Sequence, residues 1–437
     1  MKTASHSTIA SCSIILCWLV PLSTLPQIGQ AQFTYAPNNS GIAITGYTSP
    51  VGGELEIPEE IGGSVVTEIG TNAFRDCFTL TNVTIPASVT CIDDGAFDLC
   101  QYLIDIKGYS RVTNIGNGAF AECSALTAVS MPLTVTNIGF SAFADCAGIT
   151  SITIPNNVIN IGQWAFLGCA SLTKIAIGTN VTTIGDAAFA DCLKLTSITI
   201  PNSVTYVSNY AFFGCNNLTN VEIPNGVLRI GSHAFENCSN LVKVVIPKSI
   251  TTIEDGTFID CVKLASVVIP NSVTSMGTGV FLNCSALTGI TIPNSVTSIG
   301  FNSFQNCSSL KKAYFLGNAP TPTRSELFQG DTTAIYFLPG TTGWNEFLSA
   351  NGLTGSFWTL PYPVILENGT GFGVQTNGFD FTISWATNLS VVVEANANLG
   401  NPVWIPVATN ALSSGSAFFS DPQRTNYSGR FYRVRSL

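Results

Sequence analysis

Charge is scarce in this sequence. Only 10% of its 437 residues are Asp, Glu, Lys or Arg, and the 26 acids outnumber the 17 bases, giving a net charge of −9. No basic run offsets that balance, which disfavours nonspecific binding to nucleic acid or to an anionic membrane. Histidine is scarcer still, with two in the chain. Past the N-terminal segment only His233 is left to serve a Ser–His–Asp or Cys–His mechanism, and it sits at a variable turn position, which favours a surface role. With no Cys-x-x-Cys pair and so little histidine, a metal ladder is not expected. Walker loops, His-Glu-x-x-His and Gly-x-Ser-x-Gly elbows are all missing. Gly369–Gly373 lacks both the Gly-x-Gly-x-x-Gly spacing and a following helix pattern, so it reads as a linker. No stretch of about 20 apolar residues follows the N-terminal segment, so no membrane span is expected after it. Catalysis and a cofactor are therefore not expected.

What the chain does have is a period. Phenylalanine stands at Phe74 and then every 23 residues to Phe304, eleven times in all. Three residues after each comes a cysteine, from Cys77 to Cys307, and three further on usually a leucine, as at Leu80, Leu126 and Leu310. A fixed period of this size is the mark of stacked repeats, each unable to bury its apolar side alone. Such a stack also accounts for a hydrophobic content of 46% beside so little charge. In the unit Leu195–Phe212, Ile198 and Ile200 share one side of a short strand, with Thr199 opposite. Pro201 ends the strand, Asn202-Ser203 turn, Val204 and Val207 return to the core, and Ala211, Phe212 and Cys215 have the spacing of about one helical turn.

Of the 14 cysteines, eleven belong to the ladder, Cys12 and Cys17 lie in the N-terminal segment, and Cys91 stands apart. A ladder cysteine reads as a small buried residue in a tight corner. Coils stacked about 4.8 Å apart would permit a disulfide by distance, but parallel side-chain directions disfavour one. The recurring Ile-Gly step (Gly70, Gly116, Gly139, Gly162, Gly185, Gly231, Gly277, Gly300) implies a corner needing positive φ or close approach of the next coil. Ser208 and Glu254 stand there in two units. Lys107-Gly108-Tyr109 and Ile177-Gly178-Thr179 lack the strand-ending proline, and local irregularity is expected there.

The unit Leu-x-x-Ile-x-Ile-Pro-x-Ser-Val-Thr-x-Ile-Gly-x-x-Ala-Phe-x-x-Cys resembles the BspA-like, treponemal-type leucine-rich repeat family of secreted bacterial proteins. The match is cleanest from Leu287 to Phe304, where Ile290, Ile292, Pro293, Ser295, Val296, Thr297, Ile299 and Gly300 all agree. The resemblance implies a leucine-rich repeat solenoid with a short strand and a short helical turn per coil, and a role in surface adhesion or protein binding.

Around this array the sequence divides as follows. Residues 1–31 read as a Sec-type signal peptide, with Lys2, the apolar run Ile14–Leu22 and small residues before a cleavage at Gln32. Residues 32–65 read as an N-terminal cap whose apolar residues flank the turn signal Asn38-Asn39-Ser40-Gly41, and Glu54, Glu56, Glu59 and Glu60 give it a polar face. Residues 66–316 are the solenoid, eleven coils. Residues 317–360 read as a C-terminal cap: Ile335–Phe337 a last strand, Pro339-Gly340 a turn, and Trp344, Phe347 and Trp358 a cover for the open core. In residues 361–437 the period is gone, and several short alternating segments suggest a small all-β sandwich-like domain.

Function is then expected on the surface. Two outward columns flank the buried isoleucines, one from Thr84 to Thr291 and one from Asn82 to Ser266. Their middle carries the candidate ligand face: Lys174, Ser197, Thr199, Asn220, Glu222, Lys243 and Val245. The expectation is a non-catalytic, secreted or cell-surface monomer that binds an extracellular protein or glycan. The alternative is a structural component of an envelope or matrix, attached through the tail domain. A sugar-processing role for the tail would require a cleft with paired carboxylates.

Overall fold

The computed structural model describes residues 32–48, 53–321, 326–358, 363–366, 372–375, 378–385, 387–399, 403–427 and 429–437. Residues 1–31, read from the sequence as a signal peptide, lie outside them, as does most of Gly369–Gly373, read as a linker.

Each coil contributes two short strands to two parallel ladders. Ser197–Thr199 pairs with Asn220–Glu222 in the register Ser197↔Asn220, Ile198↔Val221, Thr199↔Glu222, one repeat apart. The second ladder is built from two-residue strands, such as Tyr206–Val207 between Thr183–Ile184 and Arg229–Ile230. Period-2 alternation buries Ile198 and leaves Ser197 and Thr199 outside. The turn after the strand closes with the Val204 N–H on the Pro201 carbonyl. Where proline is missing the same turn persists, with Val112 on Tyr109 and Val181 on Gly178, because the carbonyl and not the proline ring accepts the bond.

The segment around each phenylalanine is not a regular helix. The N–H groups of Ala211, Phe213 and Cys215 bond within the coil, three residues back, while those of Tyr210, Phe212 and Gly214 bond to Ser232, Ala234 and Glu236 of the next coil. Such alternation requires left-handed backbone at two points, Tyr210 (φ 56°) and Gly214 (φ 68°), and other coils place Trp164, His233, Asp145 and Asp191 there. The Ile-Gly glycines do not share this conformation. Close approach is their reason: a Cβ on Gly139 would sit 2.6 Å from the carbonyl carbon of Gly116.

Inside, the phenylalanines form one column. Successive rings from Phe74 to Phe304 and on to Phe328 lie 5.0–5.7 Å apart and within 2–16° of parallel. Beside it runs the cysteine column. All twelve described cysteines are free thiols. Those from Cys100 to Cys307 each donate to the phenylalanine carbonyl of the preceding coil at 3.0–3.4 Å. A thiol is small enough for the corner and still supplies a donor, as alanine could not.

Both ends of the column are covered. The hairpin of Phe33–Pro37 and Ile42–Tyr47 docks on Ser64–Ile69, and Phe33 and Tyr47 lie against Phe74. At the far end the stack continues through Lys312–Phe315, Ala334–Phe337 and Gly355–Phe357. It thus counts about 13 coils, where the Phe–Cys period marks eleven. The added coils carry insertions and no cysteine three residues after Phe328. The helix Trp344–Ala350 buries Trp344 and Phe347 over the core, whereas Trp358 packs on Tyr314 at 4.5 Å, beside the tail.

The tail is a two-sheet sandwich. Gly378–Ser384 pairs antiparallel with Val364–Leu366, Gly373–Gln375 and Ser416–Asp421. Leu389–Asn396 lies between Ile405–Leu412 and Phe431–Ser436. Between the sheets Phe381, Ile383, Val391, Val393, Leu412 and Phe419 are buried. Leu338 and Leu366 join the sandwich to the last coils.

Two predictions follow from the columns. Phe189→Ala removes a ring from mid-column and should cost about 3–5 kcal/mol, seen as a lower urea midpoint. Burial pushes the half-buried Cys77 and Cys91 thiols up, to about 11 and about 12, and Cys215 to about 12. Iodoacetamide at pH 8 should therefore label native protein slowly and only at Cys77 and Cys91, and all twelve described thiols after denaturation, as read by peptide mass spectrometry.

Candidate ligand-binding face

The strand ladder turns every second side chain outward, so all seven candidate residues are exposed. They do not share one continuous sheet. Lys174–Ala176 ends a three-stranded sheet, and the next four strands, from Ser197–Thr199 to Ser266–Val268, form a separate one. Lys174 therefore stands on a different sheet from the other six.

Within the second sheet the strands part locally. Among the described residues, the pairing of Asn220–Glu222 with Lys243–Val245 is confined to Asn220↔Lys243. The next pair of strands matches at three positions, Lys243↔Ser266, Val244↔Val267 and Val245↔Val268. A groove of about 900 Å³ opens over this region. It brings together Asn220, Glu222, Lys243 and Val245, and leaves out Lys174, Ser197 and Thr199.

The groove also takes in residues that the strand columns do not contain. Asn225, Lys248 and Asn271 line its side. They occupy the place after the strand-ending proline, one repeat apart, where the turn lifts the chain beside the strand face. The Asn225 carboxamide oxygen accepts the backbone N–H of Lys248 at 3.4 Å, linking neighbouring turns. A third column, 23 residues apart and next to Pro224, Pro247 and Pro270, was the signal in the sequence.

Chemically the groove is mixed. Val245 and Val268 are 52% and 53% exposed and form an apolar patch. Around it stand Glu222, Lys243 and Lys248, and among the described residues none of these three is in an ion pair. Two ammonium groups and a carboxylate are thus available to a partner beside a surface that gains by being covered. His233, the one histidine in the repeats, is engaged elsewhere: its ring stacks on Tyr210 at 4.8 Å, and its Nδ1 lies 2.6 Å from Glu236 Oε2. Among the described residues, no group of three or more His, Cys, Asp or Glu side chains is placed to hold a metal ion. No helix among them is long and apolar enough to cross a membrane.

Comparison with solved structures finds leucine-rich repeat proteins and a bacterial vaccine antigen. A leucine-rich repeat protein from Bacteroides ovatus is 24% identical, covering 75% of this chain and 98% of its own, with a TM-score of 0.49. A leucine rich cell surface protein from Faecalibacterium prausnitzii is 26% identical, over 66% and 94%, with a TM-score of 0.41. The pneumococcal vaccine antigen PcpA is 16% identical, over 74% and 98%, with a TM-score of 0.44. No curated protein matches the chain. The model of the BspA type leucine rich repeat region matches in six copies, over residues 67–196 and 182–311. With that match spanning more than half of the sequence, and the coils built as described, the chain belongs to the BspA-type leucine-rich repeat family.

Proposed function

We propose that the protein is a non-catalytic, secreted or cell-surface binding protein that recognises an extracellular protein or glycan through the strand face of its solenoid. The observation that carries this reading is the groove, where three charges that among the described residues are in no ion pair surround two exposed valines. Structural side chains in this stack point inward, so an outward patch of valine beside lysine and glutamate has no duty in holding the coils together. Family membership supports a protein-binding or adhesive role, and the apolar run Ile14–Leu22 supports export. The mixed charge favours a protein partner that presents both signs, because a groove with two lysines and one glutamate selects by charge pattern.

A second reading makes the tail the point of attachment within an envelope or matrix. It is favoured by the junction, where Leu338, Leu366 and Trp358 pack together and a Cβ on Gly415 would stand 2.8 Å from Pro339. A tail fixed so closely to the solenoid would hold the face in a set direction.

The test is binding of the mature chain, residues 32–437, to arrays of extracellular proteins and glycans, beside a form lacking residues 361–437. A ligand of the solenoid face should be retained without the tail. Lys243→Ala with Lys248→Ala should weaken it at least about tenfold, or 1.4 kcal/mol, with Glu222→Gln changing partner preference and Lys174→Ala having little effect. Binding that needs the tail and ignores these substitutions favours the second reading.

A further inference from the structure

The tail sandwich has a cavity of its own, of about 670 Å³, within the roughly 300–1,000 Å³ of small-molecule sites. Its walls are the strand residues near Asn396, Asn410 and Phe418, together with Asp421, Pro422, Gln423, Tyr427 and Arg430. Three polar atoms on these walls are buried without a hydrogen-bond partner: Asn396 Nδ2, Asn410 Oδ1 and Arg430 Nη1.

Each is left over from an arrangement that fixes its side chain. Asn396 is only 6% exposed, and its Oδ1 accepts the backbone N–H of Asn398, so its amide nitrogen is the free end. Asn410 is set the other way, its Nδ2 donating to the Phe418 carbonyl at 3.3 Å, which leaves the oxygen. Arg430 Nη1 stands 2.9 Å from Asp421 Oδ2, held by charge without hydrogen-bond alignment. Folded proteins rarely bury polar atoms unpaired. Two such amide atoms around one cavity, beside a buried guanidinium ion-paired to Asp421, point to atoms that a ligand completes.

The chemistry of the walls narrows the ligand. Asp421 is the one carboxylate among the described lining residues, and it is fully engaged. Its Oδ1 accepts the Gln423 N–H at 3.0 Å, and its Oδ2 accepts the Tyr432 hydroxyl at 2.7 Å and faces Arg430. One aspartate against one arginine leaves the cavity neutral, so it offers little to an anion. It presents two donors and one acceptor next to an apolar wall, in which Phe418 is 55% exposed. A sugar ring has the matching character, with hydroxyls around its rim and a C–H face that packs on an aromatic ring.

We propose that this cavity binds a neutral saccharide unit of an extracellular glycan. The Asn396 amide and the Arg430 guanidinium donate to its hydroxyls, the Asn410 oxygen accepts from one, and its C–H face rests on Phe418. With no second carboxylate to complete an acid–base pair, the site binds without cleaving. The site is separate from the solenoid groove and stands whether or not that groove has a ligand.

The test is titration of the full chain with methyl glycosides of glucose, galactose, mannose, xylose and N-acetylglucosamine, and with the methyl glycoside of glucuronic acid, by calorimetry and saturation-transfer NMR. Saturable binding of at least one neutral glycoside is expected, with no gain for glucuronic acid over glucose. Asn410→Ala and the exposed Phe418→Ala should each weaken it about tenfold or more while the thermal melt is retained, and Lys243→Ala should leave it unchanged. Three results would overturn the proposal: no saturable binding of any neutral glycoside, binding indifferent to both tail substitutions, or preference for the acidic sugar.

Discussion

The structure depends on how one coil meets the next at the phenylalanine corner. A ring stacks on a ring, a thiol donates to the carbonyl beside the ring below, and three backbone N–H groups bond across the same step. Each contact alone is modest: about 0.5–1.5 kcal/mol for an aromatic pair beyond its burial and about 0.5–1.5 kcal/mol net for a hydrogen bond. They recur together at each step, in one geometry, because the period is fixed at 23 residues. A change of one residue in that length would shift the ring, the thiol and the left-handed positions at once. This explains why the spacing is held more strictly than the identity of most residues within it.

Confining cohesion to the inner corner frees the outside. Thr, Ser, Asn, Lys, Glu and Val follow one another along the outer columns without disturbing the stack. The same freedom lets neighbouring strands separate a little between Asn220–Glu222 and Lys243–Val245, and a groove forms there. The tail works by different means. Its core is small, and Glu394 helps clamp the last strand, with hydrogen bonds from Arg435 and Arg433 holding its carboxyl below the usual range.

The sequence made the solenoid legible because its period is long, regular and chemically distinctive. Ile198 inside and Thr199 outside follow from alternation alone. The structure of the corner was less legible. Ala-Phe-x-x-Cys has helical spacing, but the two left-handed positions flanking each phenylalanine show only as a loose enrichment of Gly, Asn and Asp, diluted by Trp164, Tyr210 and His233. The last coils were obscured by insertions that move Phe328 one residue off the period. The groove was half visible. Strand columns pointed to Glu222, Lys243 and Val245, whereas Lys248 and Asn225 come from a turn whose height above the sheet no linear pattern reports. The tail cavity left no trace, since Asn396, Asn410 and Arg430 are gathered by antiparallel pairing across unequal distances in the chain.

The ring column also sets a measure. Each coil advances the stack by roughly one ring spacing, 5.0–5.7 Å, and both ends are closed by dedicated covers, the hairpin rings on Phe74 and the helix rings on Phe315 and Phe337. Whole units could thus be gained or lost from the middle of the array by recombination between near-identical segments, with neither cover disturbed. The distance between the N-terminal hairpin and the tail would change in equal increments. The array is in that sense a ruler of adjustable length, which lets a lineage tune how far the N-terminal hairpin stands from the tail sandwich without redesigning either.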